Sequence, residues 1–324
     1  MNEYIADYLI VGAGVAGSSL AYELAKKSSK VTVLDKGVFT NSGASSVPLA
    51  LANPHRGRSA RANPSDRECI ENFWLTVKEI EAQNIKTGVY APGVLRIASN
   101  AKQMKNWHKV SKAKALSSEE IKAPYHAPWG GILVEQGAYM EPRVYLKSLL
   151  KAAKTVKLIE NTEVLAVQRI DKINIVITEN AEFKAKMVIF CTGPESQERF
   201  NLPKTEPVAG ELIALNSDLK MPYPIAGAVY GMSINGQIQI GGNHRHDGRQ
   251  DPDADKKLRK SFSWFIKELH DAQIADVWTG VRAKAADNKP FFKDLSDNQY
   301  FFGGLGGRGF LCASKLAKHL AKII

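Results

Sequence analysis

The run DYLIVGAGVAGSSLAYELAKKSSKVTVLDKG, from Asp7 to Gly37, constrains the fold more than any other stretch of this chain. Tyr8 to Val11 read as a strand buried on both faces, and Val31 to Asp35 as a second. Between them Ala16, Leu20 and Leu24 recur at helical spacing, so the whole is a βαβ unit and implies a parallel sheet. Gly12, Gly14 and Gly17 open the helix. The first permits the tight turn, the second lets a pyrophosphate approach the backbone, and the third lets helix and strand pack closely. Unpaired N–H groups at the helix start, at Val15 and Ala16, favour an anion there. Asp35 follows roughly twenty residues later, at the end of the second strand, where a carboxylate accepts from a ribose diol. A glycine triplet alone is weak, but strand, turn, helix and acid together define a dinucleotide site. They do not choose between FAD and NAD.

Composition sets the remaining bounds. With 324 residues, 44% hydrophobic and 24% charged, the chain fits one large domain or two intertwined ones around a sizeable core. The N-terminus MNEYIADYLIVGAG has no basic n-region and only a short apolar run, so neither a signal peptide nor a membrane span is expected, and the cytoplasm is the expected location. Cys69, Cys191 and Cys312 lie far apart and form no CxxC pair; each reads as a small buried hydrophobe. His244 and His246 in GGNHRHDGR have no further ligands clustered nearby, so no metal site is expected and a solvated loop is the better reading. The net charge of +11 bears on partners, because clustered Lys and Arg attract polyanions.

No repeat, linker or low-complexity tract divides the chain. Arg143 to Lys154 reads as a helix opened by Pro142, with Leu146, Leu149, Leu150 and Ala153 on one face. The short runs VKLIE, EVLAVQRI, NIVIT and MVIFCTG read as a meander returning to the main sheet. GVLRIA, GELIAL and GQIQIGG read as strands of a second, antiparallel sheet. After Gly309 the chain ends in a helix with Leu316, Leu320 and Ile323 on one face. The expected architecture is α/β: a discontinuous Rossmann-like nucleotide domain from residues 1–88, 139–207 and 278–324, and an antiparallel-sheet substrate domain from 89–138 and 208–277.

The N-terminal glycine motif, VIFCTGPES at Val188–Ser196 and GGLGGRGF near the C-terminus occur together in one order. In these motifs the chain resembles the D-amino acid oxidase superfamily of FAD-dependent oxidoreductases, close to glycine and sarcosine oxidases, over essentially its whole length. The resemblance implies FAD, with Cys191, Thr192 and Gly193 as the turn against its adenine half; Cys191 stands where the family usually has Ala. It sets Asn41 to Ala52, a segment built largely of small residues, beside the isoalloxazine, and places Lys36, Ala44, Ser45, Val164 and Phe310 against the cofactor. Gly306, Gly307, Arg308 and Gly309 would wrap the flavin, with Arg308 binding substrate or an anionic reduced flavin. None of the three cysteines lies where sarcosine oxidases attach the ring, so the FAD is expected to be non-covalent.

The implied reaction is oxidation of a C–N bond next to a carboxylate, in a small glycine-like, sarcosine-like or D-amino acid amine. Arg282, in TGVRAKAADNKPFF, matches the family arginine that pairs with the substrate carboxylate, although Ala283 replaces the family's proline. Tyr230 matches a tyrosine that reaches the same carboxylate. GLGGRGFLCASKLAKHL is similar to the oxidoreductase half of MnmC-type tRNA-modifying proteins, which implies a second reading: removal of a carboxymethyl group from a wobble uridine. Arg56, Arg58 and Arg61, with Lys102, Lys105, Lys109, Lys112 and Lys114, would then face tRNA, outside the flavin pocket. A flavin-binding redox or interaction module without amine chemistry is the remaining class.

Overall fold

The computed structural model describes residues 5–195 and 197–324. Met1–Tyr4 and Ser196, which belong to the N-terminal and VIFCTGPES readings, lie outside the described residues.

Strand β1 (Ile5–Val11), helix α1 (Val15–Ala25) and strand β2 (Val31–Leu34) form the βαβ unit. β1 pairs in parallel with β2 on one side and with Glu182–Phe190 on the other. Lys157–Ile159 continues the sheet beyond β2. Leu9, Ile10, Val31, Val33 and Leu34 are fully buried, and so these segments carry unbroken apolar runs instead of an alternation. The meander is present: Val164–Ile170 pairs with Ile173–Thr178, which pairs with the first half of Glu182–Phe190. The last residues of that strand switch partner and run parallel to Gln299–Gly303. Val11 thus stands beside Phe190, and Phe190 beside Phe301, so Gly12, Cys191 and Phe302 lie together at the carboxyl ends of three parallel strands. That crevice is where open α/β sheets bind ligands.

A second sheet of eight strands has the order Ile274–Lys284, Glu206–Asn216, Gln237–Gly241, Tyr230–Ile234, Ile225–Ala226, Val94–Ile97, Gly131–Val134, Lys114–Leu116. Its pairs are antiparallel except for the bridge of Ile225 with Leu95. The edge strand Ile274–Lys284 runs unbroken through position 278 and carries Arg282. Three short strands, Ala50–Ala52, Ala138–Met140 and Val89–Tyr90, make a small sheet of their own.

Two helices depart from the sequence expectation. Helix α2 (Pro64–Glu81) is eighteen residues long, and the sequence reading does not single it out. Its signals are local: the Asn63 side chain accepts from the Asp66 N–H at 2.7 Å, Pro64 occupies the first turn, and Cys69, Ile70, Phe73, Val77 and Ile80 recur on the buried face. The C-terminal helix Gly309–Ile323 buries Cys312, Ala313, Ala317, Leu320 and Ala321. Ile323, expected on that face, is 56% exposed. The helix packs against both α1 and α2, with small residues on its contact face, and Ile324 instead of Ile323 packs against the core at its end. All three cysteines are free and buried.

Candidate cofactor and substrate site

The carboxyl ends of the parallel strands open into a cavity of about 1030 Å³, at the upper end of the range for small-molecule sites. Its nucleotide end is built by α1. Gly12 has φ +103°, and a Cβ there would lie 2.6 Å from the Cys191 carbonyl oxygen. Gly17 lines no part of the cavity; a Cβ on it would stand 1.9 Å from the Gly12 carbonyl, so its lack of a side chain lets α1 rest on the turn. Gly14 is the N-cap and brings no capping side chain, leaving the first turn with Val15 and Ala16 on the cavity wall. The Ser45 hydroxyl accepts from the Val15 N–H at 3.0 Å. Asp35 accepts from the N–H groups of Ala13 (2.6 Å) and Gly37 (2.9 Å), and its two oxygens keep further lone pairs for a diol.

Lys36, Ala44, Val164, Thr192 and Gly193 line the same cavity. Lys36 is ion-paired with Glu195, whose carbonyl accepts from the Thr192 hydroxyl at 2.9 Å. Gly306, Gly307, Arg308, Gly309 and Phe310 close the far wall. A Cβ on Gly309 would meet Val15 at 2.9 Å, so this glycine segment packs directly on the first turn of α1. The cradle of bare glycine backbone, the helix start with no side chain on its N-cap and the carboxylate at the end of β2 fit the pyrophosphate and ribose of FAD. Cys191 is the cavity-lining cysteine among the described residues; it sits beneath Gly12, and burial pushes its thiol pKa up. A protonated thiol at the nucleotide end is poorly placed to attach the ring. Acid precipitation is therefore expected to release the flavin into the supernatant, and colour retained in the pellet would refute the non-covalent assignment.

At the other end Arg282 is enclosed by the second sheet. Its Nη2 donates to the Asn243 carbonyl at 3.2 Å and to His244 Nδ1 at 2.8 Å. No carboxylate pairs with it among the described residues, and burial lowers its pKa. A half-buried cation bonded only to neutral groups gains from an anionic ligand. The site makes room for it: a Cβ on Gly210 would lie 2.4 Å from Nη2. Tyr230 packs over Gly241, and its phenol, kept neutral by desolvation, lies 3.5 Å from the Leu49 carbonyl.

His244, which the sequence reading assigns to a solvated loop, is exposed on a loop and also lines the cavity against Arg282. A guanidinium can only donate, so Nδ1 accepts and the ring proton sits on Nε2. Desolvation, then the charge of Arg282, lowers its pKa to about 4. Below pH 6.5 the unfolded chain takes up a proton that the folded ring refuses, so this group costs stability as pH falls toward 4. An NMR titration of the His244 ring should show a midpoint near 4; one near 6.5 would place it away from Arg282.

Arg308, only 11% exposed, donates to Asp66 at 3.2 Å. Asp66, in the first turn of α2, also pairs with Arg56 at 2.8 Å. Arg56 lines the cavity, which corrects its expected position outside the flavin pocket. Arg58, Arg61 and the lysines at 102, 105, 109, 112 and 114 are exposed. Trp278 was also not anticipated; it lines the cavity and donates to the Ser46 hydroxyl at 3.1 Å, tying the Asn41–Ala52 segment to the second sheet.

A parallel-sheet crevice with a glycine cradle, a ribose carboxylate and a second sheet closing over it defines a flavin-dependent oxidoreductase. The family model for FAD-dependent oxidoreductases of the DAO type matches residues 7–323, and the chain belongs to that family. It is 25% identical over 322 residues to the bifunctional tRNA 5-methylaminomethyl-2-thiouridine biosynthesis protein MnmC of Maricaulis maris, covering 96% of this chain and 51% of that protein. It is 22% identical to glycine oxidase of Bacillus subtilis, covering 87% of this chain and 82% of the relative. The crystal structure of glycine oxidase from Geobacillus kaustophilus superposes with a TM-score of 0.84 at 19% identity, over 98% of this chain and 94% of that one. The chain spans about half the length of the bifunctional relatives it matches.

Proposed function

We propose that this protein oxidises the C–N bond of a glycine-like amine, one whose reacting carbon carries a carboxylate. The observation that carries the reading is Arg282: a half-buried guanidinium on the cavity wall, bonded to carbonyls and an imidazole and, among the described residues, lacking a carboxylate partner. Bound FAD supplies a two-electron acceptor for hydride. Arg282 takes the substrate carboxylate, with the neutral phenol of Tyr230 beside it, and so fixes which C–H bond faces the acceptor. The C–H bond breaks with its electron pair leaving as hydride, the nitrogen lone pair forms C=N, and water hydrolyses the imine to glyoxylate and the released amine. His244, kept neutral by desolvation and by the charge of Arg282, keeps the guanidinium oriented without competing for the anion. Arg308 brings a cation to the glycine wall, held by Asp66.

The same reading divides the labour between a discontinuous nucleotide unit, residues 1–88, 139–207 and 278–324, and a substrate unit from the rest, with the strands Glu206–Asn216 and Ile274–Lys284 of the second sheet crossing from one to the other. We place the reaction in the cytoplasm, in keeping with three free thiols; among the described residues no helix is long and apolar enough to cross a membrane.

A specific observation favours a tRNA wobble uridine as the carrier of that amine. The loop of Arg56 begins at the cavity wall, and the Arg58 carbonyl accepts from Trp107 Nε1 (2.9 Å) and Gln103 Nε2 (3.2 Å). Those residues belong to the helix Ala101–Trp107, which carries Lys102 and Lys105, so a basic surface runs outward from the cavity. Binding of undermodified tRNA across a salt series tests this. Replacing Arg58, Lys102 and Lys105 by Ala should flatten the salt slope by about three phosphate contacts. An unchanged slope, or no binding at low salt, leaves a free amine as the substrate.

A further inference from the structure

Arg56 stands on a loop that is fixed to an unusual degree. Arg96, from the strand Val94–Ile97, is buried, and its two terminal nitrogens donate to the carbonyls of His55 and Gly57, the residues on either side of Arg56; the second bond is 2.6 Å. The Arg96 guanidinium lies over the Trp107 ring, 5.2 Å from its centroid, and Trp107 holds the Arg58 carbonyl. His55, fully buried, is bonded through Nδ1 to the Ala60 carbonyl at 2.7 Å. Four consecutive or near-consecutive carbonyls of one loop are thus held by side chains from outside or across it. Loops usually leave such groups to water.

What this scaffold presents is one side chain on the cavity wall. Arg56 spends a single terminal nitrogen on Asp66, and its side chain is 41% exposed. Its other guanidinium nitrogens have no partner among the described residues. Asp66 is shared with Arg308, so the trio Arg56, Asp66 and Arg308 carries a net positive charge toward the cavity. Arg282 lines the same cavity from the second sheet, with its own unmet demand for an anion. Two cationic groups on separate walls, both preorganised, match a ligand with an anionic oxygen group at each end.

We infer that Arg56 is a specificity-determining residue that binds a second anionic group of the substrate, while Arg282 binds the carboxylate at the reacting carbon. Arg96 is its positioning residue. The substrate class is an amine with two anionic groups, such as an aminodicarboxylate. The inference rests on the amine reading for the identity of the reacting group but not for the existence of the second anion subsite.

The test separates the two. Thiodiglycolate carries two carboxymethyl arms on sulfur, and (methylthio)acetate carries one; neither has an oxidisable C–N bond. Their dissociation constants are read from the perturbation of flavin absorbance in the holoenzyme. A salt concentration near 0.5 M, where screening acts within about 4 Å, keeps long-range attraction from imitating contact. The wild-type protein should bind the dianion about ten- to a hundredfold more tightly than the monoanion. Arg56→Gln should bring that ratio to near one, and Arg56→Lys to an intermediate value, since an ammonium lacks the fork. Arg96→Lys, which reaches one carbonyl instead of two, should lower the ratio while flavin content holds. A ratio near one in the wild type, or a ratio that Arg56→Gln leaves unchanged, overturns the inference. Failure of iminodiacetate and sarcosine to reduce the flavin, with the thioether ratio intact, would overturn the amine reading instead.

Discussion

Arg282→Ala should lower kcat/KM for glycine-like amines by roughly thirty- to several-thousandfold, because losing the charged hydrogen-bond partner of a bound carboxylate costs about 2–5 kcal/mol. Flavin content should not change, since the nucleotide is held at the other end of the cavity by α1 and Asp35. Arg282→Lys should restore little, as an ammonium cannot form two parallel bonds to a carboxylate. Gly210→Ala offers a milder version of the same lesion. Its methyl group would stand 2.4 Å from Arg282 Nη2 and must push the guanidinium aside, raising KM while the charge remains. Steady-state kinetics of the three variants check this. Wild-type kcat/KM in Arg282→Ala would remove the residue from the site.

Gly12 and Gly14 should fail in different ways when replaced. Gly12→Ala adds a Cβ at φ +103° and 2.6 Å from a backbone oxygen that cannot move away, so strain and overpacking together should cost about 3 kcal/mol or more. The expected result is a protein with a lowered Tm and little bound flavin. Gly14 has φ −61°, which any residue adopts, and its added Cβ would meet the Ser45 side chain, nearest at its hydroxyl, 3.2 Å away. Gly14→Ala should therefore keep the Tm of the flavin-free protein and lose FAD affinity, about tenfold or more, because the methyl group occupies space the pyrophosphate needs. Thermal unfolding of the flavin-free variants, beside FAD titration, separates a folding glycine from a binding glycine. Equal Tm losses in both would contradict the assignment.

The βαβ unit was legible because its signals are local: strand, turn and helix follow from periodicity over thirty residues, and Asp35 needs only to end the second strand. The same holds for the meander and for the helix beginning at Pro142. Helix α2 carried equally local signals, Asn63, Pro64 and Asp66, but they sit in an arginine-rich stretch that reads as surface, and the apolar face begins only at Cys69. Other features were not local at all. Resemblance pointed to Arg282, yet its environment depends on Gly210 and on His244, each distant in sequence and brought to it by strand pairing. Arg56 reads as one of several surface arginines until Arg96, forty residues on, clamps the carbonyls beside it. Charge in a sequence says that a group is ionised; which wall it faces is decided by partners that only the fold assembles.

The most direct test of amine oxidation is anaerobic mixing of the FAD-loaded protein with candidate reductants while the flavin's visible absorbance is followed. Glycine, sarcosine, iminodiacetate and a carboxymethylaminomethyl uridine each place a carboxylate next to an oxidisable C–N bond; glycerol 3-phosphate offers an anion next to a C–O bond instead. The account predicts that at least one of the amines bleaches the flavin with release of one glyoxylate per flavin, and that glycerol 3-phosphate does not. Bleaching by the alcohol alone, or by none of the amines, would contradict it.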